Sequence, residues 1–469
     1  MFLRKTTRGA DILCNVPMKS KVRQLAIVIA LLYTGLTPAV AEAQVKTSAQ
    51  QLERVAALIS SNQLVEAEQH LNRILRIAPN EATALNFFGT IRAKQGRLKE
   101  AEGFFLRAVR VNNSLIGAHM NLAYLYLLKG EPDKTAAQLE KVLNVDPANA
   151  DAAYRLAWVL FSQGRLDECI ALVDKVKQSQ TLSAPTLAVL GDAYAGKGNA
   201  IKAEESYLLS LDAQSTNADA LLGLAQLSNN KGDTTMAVAY VDRASNLTNS
   251  PELLYKLARI SLNLNLKDQA VVALKQAVVL RPDEPSYHFA LGTAWLKQPP
   301  DLQAAEESFL QFLKLKPDDV QGQLHLGYVL LKQKKQAESR AWLLKSVRNG
   351  GTPEAFYYLG LIAQAENEDA EAIQLFQRSV QLAPAFASAH VALGSSYLKL
   401  KDYERAQQAL ETGVKLSPED SKAHYNLAML YARLKNTEKA QEEMRIVERL
   451  KSQGKEPDDT GSLAPPPPR

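Results

Sequence analysis

The stretch 387–420, ASAHVALGSSYLKLKDYERAQQALETGVKLSPED, has the pattern of two short amphipathic helices joined by a polar turn at Lys401-Asp402. Small residues at Gly394 and Ala406 allow the two helix backbones to approach each other, because neither adds bulk at the contact. One hairpin of this length buries too little apolar surface to be stable alone. The stretch therefore predicts neighbouring units of the same kind.

The same pattern recurs along the chain at intervals of 33 to 35 residues. It is easiest to follow at one pair, a Leu or Phe followed by Gly or Ala. These pairs are Phe88-Gly89, Leu122-Ala123, Leu156-Ala157, Leu190-Gly191, Leu224-Ala225, Leu257-Ala258, Leu291-Gly292, Leu326-Gly327, Leu359-Gly360, Leu393-Gly394 and Leu427-Ala428. A divergent copy at 48–81 keeps Ala67 and Pro79 in the corresponding places, so we count twelve copies in residues 48–452.

The turn between the two helices of each copy also repeats. It contains Gly or Asn in most copies, as expected where a helix ends in a left-handed residue. These residues are Gly96, Gly130, Gly164, Gly198, Gly232, Asn62, Asn265 and Asn367. Six second helices are followed by a proline, which cannot continue a helix. These prolines are Pro79, Pro147, Pro282, Pro317, Pro384 and Pro418.

A 34-residue helix–turn–helix period with small, aromatic and proline positions resembles the tetratricopeptide repeat (TPR) family. The resemblance implies an all-α, right-handed α-solenoid of about twelve helix–turn–helix repeats, with residues 48–452 forming one superhelical domain. The chain departs from the family pattern near Gln298-Pro299-Pro300, where one extra residue is expected to disturb the turn.

Residues 18–43 have the order of a secretory signal peptide: a basic start, an apolar run from Leu25 to Leu36, and small residues before a favoured cleavage point after Ala43. Cleavage after Ala41 is the second choice. The alternative is a retained membrane anchor, but the apolar run spans only about 18 Å as a helix, against roughly 30 Å of hydrocarbon. We therefore expect export to the periplasm or an outer-membrane-associated site, with no stable transmembrane anchor.

The two ends of the chain carry further expectations. Because Met18 begins a complete signal peptide, residues 1–17 are interpreted as a misassigned upstream start, and the choice between Met1 and Met18 stays open. Residues 453–469, rich in proline, are expected to be a disordered tail.

Charge argues against a nucleic-acid partner. The 469 residues contain 55 Lys and Arg and 50 Asp and Glu, but residues 1–43 hold six of the basic and two of the acidic ones. The remainder is nearly neutral, without the basic excess that phosphate binding needs.

No catalytic, cofactor or metal-binding motif is found. Four of the six histidines, His119, His288, His390 and His424, occupy a position that is Leu or Phe in other copies, so we interpret them as packing residues. Cys169 takes a small-residue position and is interpreted as a buried structural thiol. The sequence therefore predicts a protein that is not an enzyme, with no catalytic residue, no cofactor and no metal site.

The resemblance also implies a binding groove, since the first helices of TPR proteins line a concave surface. Carried over by position, the third and fourth repeats place there a cluster of aromatic, Met and polar side chains, which resembles the anchors of a peptide-binding interface. The alternative for each residue is packing against the neighbouring repeat. The candidate partner-binding residues are Met120, Asn121, Tyr124, Tyr154, Arg155, Trp158 and Phe161.

Further along the chain, the same positions hold Tyr255, Arg259, Phe289, Leu324, His325, Tyr328, Tyr357, Tyr358, Tyr425 and Met429. The two-carboxylate clamp of chaperone-binding relatives does not fit, because Asp151 places a negative charge where the carboxylate would bind. The asparagine ladder of sugar-transferring relatives does not fit either, since few first helices have Asn at the required position.

These observations predict a non-enzymatic protein–protein interaction scaffold or adaptor in the bacterial cell envelope, with protein or peptide partners and a place in an envelope assembly. The alternative function is a carbohydrate-binding scaffold for exopolysaccharide export, in which the aromatic groove would stack on sugar rings. A third interpretation is a cytoplasmic adaptor whose amino terminus has been misread.

Overall fold

The computed structural model describes residues 38–178, 180–248 and 250–453. In these ranges the chain forms 24 α-helices and no β-strand, so the predicted all-α fold is confirmed. The helices fall into two compact units, the first ending at Gly232 and the second beginning at Asp233.

The first unit contains α1 (Pro38–Ser60), α2 (Leu64–Ile77), α3 (Ala82–Lys94), α4 (Leu98–Val111), α5 (Ile116–Leu128), α6 (Pro132–Val145), α7 (Ala150–Ser162), α8 (Leu166–Lys177), α9 (Ala184–Gly196), α10 (Ala200–Ala213) and α11 (Ala218–Asn230). The second contains α12 (Thr234–Ser245), α13 (Pro251–Asn263), α14 (Lys267–Leu280), α15 (Pro285–Trp295), α16 (Leu302–Leu315), α17 (Val320–Lys332), α18 (Gln336–Arg348), α19 (Pro353–Ala365), α20 (Asp369–Leu382), α21 (Ala387–Lys399), α22 (Tyr403–Leu416), α23 (Ser421–Arg433) and α24 (Thr437–Ser452).

From α1 to α10 in the first unit, and from α13 to α24 in the second, the helices pair into hairpins that stack in chain order, as in an α-solenoid. Helix α22, for example, packs against α21 in its own hairpin and against α23 in the next one. The odd-numbered helices are the first helices of the repeats and the even-numbered ones are the second helices. Each hairpin therefore buries its apolar faces against its neighbours, as a repeat protein requires.

In the repeats where the small residue of the first helix is glycine, it contacts a large side chain of the second helix. A Cβ atom added to Gly394 would lie 2.6 Å from Cγ of Leu410, and one added to Gly360 would lie 2.5 Å from the Phe376 ring. No real Cβ fits at such distances. The explanation given for the small residue at Gly394 is therefore confirmed.

The left-handed turn residues are confirmed as well. Gly96 has φ 77° and Asn367 has φ 62°. Three lysines, Lys334, Lys401 and Lys435, adopt the same conformation with φ between 58° and 64°. The sequence placed a turn at Lys401 but did not indicate a left-handed conformation for any of these lysines, because the packing of the two helices fixes the reversal and the side chain only has to tolerate it.

In the eighth repeat the connection between the two helices is altered near Gln298-Pro299-Pro300, where the sequence has one extra residue. Helix α15 ends early, at Trp295, and α16 begins only at Leu302, with a cis peptide bond between Gln298 and Pro299 in the connection. Lys267 Nζ donates a hydrogen bond to the Lys297 carbonyl oxygen at 3.0 Å and another to the Pro299 carbonyl.

Helix α24 ends the second unit with two buried side chains, Val447 and Leu450. Residues 1–37, which include the apolar run of the signal peptide, and residues 454–469 of the tail lie outside the described residues. The predicted cleavage point after Ala43 falls within α1.

Candidate functional site

Two aromatic side chains are exposed at equivalent positions of neighbouring repeats in the first unit. Tyr124 on α5 and Trp158 on α7 are separated by one repeat of 34 residues, and each is 42% exposed. Both were predicted to face the groove. An exposed Trp has a large apolar area and a polar N–H, and such residues are common at the centres of protein interfaces.

Three of the candidate residues are partly buried. Met120, Tyr154 and Phe161 pack against the cluster of buried side chains that joins α5, α7 and α9. Burial raises the pKa of the Tyr154 hydroxyl, and the charge of Asp219 raises it further. These three side chains are therefore partly fixed by packing, and part of each remains accessible to solvent.

Asn121 has a structural role. It is buried, and its Nδ2 donates a hydrogen bond to Oδ1 of Asn86 at 2.8 Å and a longer one to Oγ1 of Thr90 at 3.4 Å. The three polar side chains connect α3 to α5. The amide group of Asn121 therefore donates within the chain, so Asn121 has a structural role and not the predicted role in binding a partner.

Arg155 is bound within its own helix. Its Nε donates to both carboxylate oxygens of Asp151, at 2.9 and 3.0 Å, and both side chains are about one third exposed. The contact therefore offsets part of the negative charge of Asp151 within α7. A carboxylate clamp is still not supported, because Arg155, which would bind the partner's carboxylate, is already paired with Asp151.

The sequence analysis did not indicate one contact of the first unit, the hydrogen bond between Asp192 and Tyr207. Asp192 on α9 accepts a hydrogen bond from the Tyr207 hydroxyl at 2.7 Å. The Tyr207 ring fills the space above Gly191 and Gly223, where added Cβ atoms would lie 2.5 and 2.3 Å from it. Burial strongly raises the pKa of Tyr207, which stays a neutral donor and holds the Asp192 carboxylate in place.

In the second unit, several positions predicted to face the groove are buried. Leu324, His325, Tyr357 and Tyr358 are among the core residues, so they pack against neighbouring helices. Tyr425 and Met429 on α23 are exposed, at 45% and 37%. The four buried residues therefore pack within the protein, as the alternative interpretation states. Tyr425 and Met429 remain candidates for partner binding.

The chain's own cations cover many of its other aromatic rings. Lys345 Nζ lies 3.7 Å from the centroid of the Trp342 ring, and Lys275 Nζ lies 5.0 Å from that of Trp295. Tyr126, Tyr194, Tyr397 and Tyr431 have similar partners. In the part of the chain that the structure describes, neither Trp158 nor Tyr124 has such a cation.

The histidines and the cysteine fit structural roles. His119, His288 and His424 are buried, and Nε2 of each lies within 3.0 Å of a loop carbonyl oxygen. Cys169 is fully buried, its thiol donates to the Ala157 carbonyl oxygen at 3.4 Å, and burial raises its pKa to about 12. Across residues 38–178, 180–248 and 250–453, no group of three or more His, Cys, Asp or Glu is placed to hold a metal ion.

Comparison with known families agrees with this geometry. Models described as tetratricopeptide repeat match residues 52–114, 126–190, 251–284, 300–352, 361–416 and 391–454, about two thirds of the chain together. The chain belongs to the tetratricopeptide repeat family. As a TPR protein it has the architecture of a protein–protein interaction scaffold.

Two curated proteins are similar to this TPR chain over part of their length. It is 23% identical over 282 residues to human protein O-mannosyl-transferase TMTC3, and 28% identical over 228 residues to cellulose synthase operon protein C of Pseudomonas fluorescens (strain SBW25). The matches cover 58% and 45% of this chain, but 30% and 18% of those proteins.

A solved structure of a tetratricopeptide repeat protein from Parabacteroides merdae is 20% identical, with a TM-score of 0.45, over 53% of this chain and 99% of that one.

Among the helices of the described residues, none is both long enough and apolar enough to cross a membrane.

Proposed function

We propose that this TPR protein is a non-enzymatic adaptor of the bacterial cell envelope, which holds partner proteins on the first helices of its repeats 48–452. The observation that carries the proposal is the exposure of Tyr124 and Trp158 at equivalent positions of α5 and α7. Two large rings in the same position of successive hairpins present apolar surface on one side of the first unit.

The partly buried residues beneath these rings support a preorganised surface. Tyr154 and Phe161 lie on the same side of α7 as Trp158, four and three residues away, and pack into the core. Because their side chains are fixed by packing, little conformational entropy is lost when a partner segment lies across them.

The envelope location is proposed from the amino-terminal sequence. Residues 1–43, with 1–17 as a misassigned upstream part, would be removed on export to the periplasm or an outer-membrane-associated site. Amino-terminal sequencing of the protein from an envelope fraction tests this, with Gln44 or Glu42 expected as the first residue. Full-length protein in the cytosolic fraction would contradict the location but leave the adaptor role.

Partner capture tests the adaptor role. Immobilised full-length protein is incubated with envelope extract, and a captured protein is then purified and titrated against the native chain and Trp158→Ala. We expect the substitution to weaken binding by about 2 kcal/mol or more, roughly thirtyfold. The melting temperature is measured on the same samples and should change little, because the ring is half exposed.

Ile201→Ala is a matched control, since this apolar side chain is 81% exposed in the same unit but lies on α10, a second helix of a repeat. Unchanged affinity for Trp158→Ala, in a chain that folds normally, would contradict a binding role for the α7 surface.

A second candidate is a carbohydrate-binding scaffold for exopolysaccharide export. It is favoured by the similarity to cellulose synthase operon protein C and by the exposed aromatic rings, which can stack on sugars. Binding to soluble cello-oligosaccharides, lost in Trp158→Ala and without capture of any protein, would favour this candidate over the adaptor.

A further inference from the structure

Two tyrosines at the same position of two first helices differ in exposure. Tyr357 on α19 and Tyr425 on α23 each lie two residues before the leucine of the recurring pair, Leu359 in one repeat and Leu427 in the other. Tyr357 is 4% exposed, whereas Tyr425 is 45% exposed. Because the residue type and the position in the repeat are the same, the difference arises from what packs against the two helices.

The repeat that follows α19 supplies an aromatic ring to Tyr357. Phe386, which immediately precedes α21, lies with its ring centroid 5.2 Å from that of Tyr357. A similar contact occurs one repeat earlier, where Tyr358 on α19 packs against Tyr328 on α17 with the centroids 5.3 Å apart. In both places, an aromatic side chain of the following repeat packs against the preceding first helix.

Helix α23 has no such neighbour among the described residues. It packs against α21, α22 and α24, whereas α21 packs against the first helix before it and also against the first helix after it. Tyr425 and Met429 are exposed one turn apart on the same side of α23. The corresponding residues of α21 are Val391, which is buried, and Ser395, which is half-buried. Tyr425 and Met429 therefore form an accessible apolar strip, the α23 strip.

Neither the residues after α24 nor the first helix of a second copy matches the helix that would cover this strip. Residues 454–469 contain five prolines and no aromatic side chain, a composition unlike that of a first helix. Helix α1 has no aromatic side chain either, so α1 of a second copy would not reproduce the contact that Phe386 makes with Tyr357. The matching helix belongs to a different protein.

We propose that the α23 strip binds an amphipathic α-helix of a partner protein, which packs against α23 as α21 packs against α19. The helix carries an aromatic side chain that covers Tyr425 as Phe386 covers Tyr357. A helix fits this strip better than an extended segment, because it satisfies its own backbone hydrogen bonds when it lies on an apolar surface. The strip does not involve Tyr124 or Trp158, so it is a second binding surface beyond the proposed one.

The probe is a synthetic copy of the helix that covers Tyr357 within this chain. A fluorescein-labelled peptide of residues 384–400 contains Phe386 and the whole of α21. In this peptide, Ser395→Glu allows a lactam cross-link to Lys399, four residues further on, which keeps the isolated peptide helical. Fluorescence anisotropy measures its binding to the full-length chain. We expect saturable binding, which Phe386→Ala in the peptide weakens by about tenfold or more, because the apolar contact of the ring is lost.

Two variants of the full-length chain assign the binding to the α23 strip. Tyr425→Gln and Met429→Gln should each weaken peptide binding by about fivefold or more, because Gln is accepted in a helix but removes apolar contact area. Val279→Gln is the matched control, since Val279 is 79% exposed on α14, a second helix of the same unit, and it should leave the affinity unchanged. Melting temperatures show whether each variant is folded, and Met429→Gln decides if Tyr425→Gln does not fold.

Hydrogen exchange locates the bound peptide. Exchange of the native chain should slow in residues 421–452 when the peptide is added, because the peptide covers α23. Slower exchange confined to residues 49–230 would overturn the inference, and so would unchanged affinity in both folded strip variants.

The remaining outcomes separate this inference from the adaptor function. Peptide binding that is lost in Trp158→Ala and unchanged in Tyr425→Gln would assign the peptide to the α7 surface, overturning the inference and leaving the adaptor. Equal binding of the peptide with and without Phe386 would overturn the aromatic contact. Absence of peptide binding would overturn the inference as well, whereas the adaptor function is decided by protein capture with the native chain and Trp158→Ala.

Discussion

Nε2 of His424 lies 3.0 Å from the carbonyl oxygen of Pro418, six residues earlier in the chain. His119, His288 and His390 make the same contact with the carbonyls of Asn113, Pro282 and Pro384, at 2.8 to 3.0 Å. Gln323 reproduces it with the Pro317 carbonyl at 2.7 Å. In these repeats, the side chain at the fourth position of the first helix is hydrogen-bonded to the loop that precedes that helix. These side chains therefore do more than fill space.

This contact predicts different effects for two substitutions of His424. His424→Gln should preserve the hydrogen bond to Pro418, as Gln323 does with Pro317, whereas both substitutions remove the contact of Nδ1 with Glu443 at 2.5 Å. His424→Leu keeps an apolar side chain that other repeats accept there, but it leaves the Pro418 carbonyl without its partner. We expect His424→Leu to be less stable than His424→Gln by about 0.5–1.5 kcal/mol, measured by urea denaturation. Equal stability of the two variants would show that the bond contributes nothing.

The close approach at Gly394 predicts a cost for any added side chain. Gly394→Ala should destabilise the protein by roughly 1–3 kcal/mol, because the new Cβ would lie 2.6 Å from Leu410 Cγ and 3.1 Å from the Leu410 backbone nitrogen. Gly103 on α4 is the matched control, with no atom within 4 Å of an added Cβ. Gly103→Ala should stabilise by about 0.5–1 kcal/mol, since Ala is the better helix former.

Hydrogen exchange locates this effect. Faster exchange in Gly394→Ala should be concentrated in residues 353–452, while residues 82–217 keep their protection, because each hairpin contacts only its neighbours. A uniform loss of protection along the chain would contradict nearest-neighbour coupling.

Burial of His325 predicts a pH dependence of stability. Burial lowers the pKa of His325, and the side chain packs against the rings of Phe289 and Phe309 with centroids 5.0 and 5.3 Å away. The unfolded chain takes up a proton at this residue below about pH 6.5, while the folded protein resists it. The free energy of unfolding should therefore fall as pH decreases below 6.5, by at most about 1.4 kcal/mol per pH unit for this one site.

The comparison of native protein with His325→Leu isolates that contribution, because the other five histidines are common to both. Denaturation midpoints at pH 5 to 8 should fall more steeply towards low pH in the native chain than in the variant. Parallel curves would mean that His325 is protonated equally in both states.

The environment of Cys169 predicts an unreactive thiol. Its pKa is raised to about 12 by burial, so the thiolate is scarce at neutral pH, and the sulfur is fully buried. A Cys14→Ser variant, in which Cys169 is the remaining cysteine, should not react with a chromogenic disulfide reagent at pH 8 until the chain is unfolded. Rapid labelling of the folded variant would show that α8 opens locally.

The sequence by itself determined the repeat period, the helix pairing and the glycine and asparagine turn residues, whereas the positions that face the groove were implied by the family resemblance. These follow from local rules: small residues where backbones approach, left-handed residues where helices end, and prolines after second helices. The 34-residue period carries this information because each repeat meets the same neighbours.

Only the tertiary structure decided which of the residues predicted to face the groove are accessible. Trp158 and Tyr358 were both predicted to face it, yet Trp158 is half exposed and Tyr358 is buried. The difference arises because exposure depends on the side chains of adjacent hairpins. The bonds of Asn121 with Asn86 and of Asp192 with Tyr207 likewise join residues 35 and 15 positions apart. A sequence pattern records the position of a side chain on its own helix, whereas its partners are set by the way neighbouring helices pack.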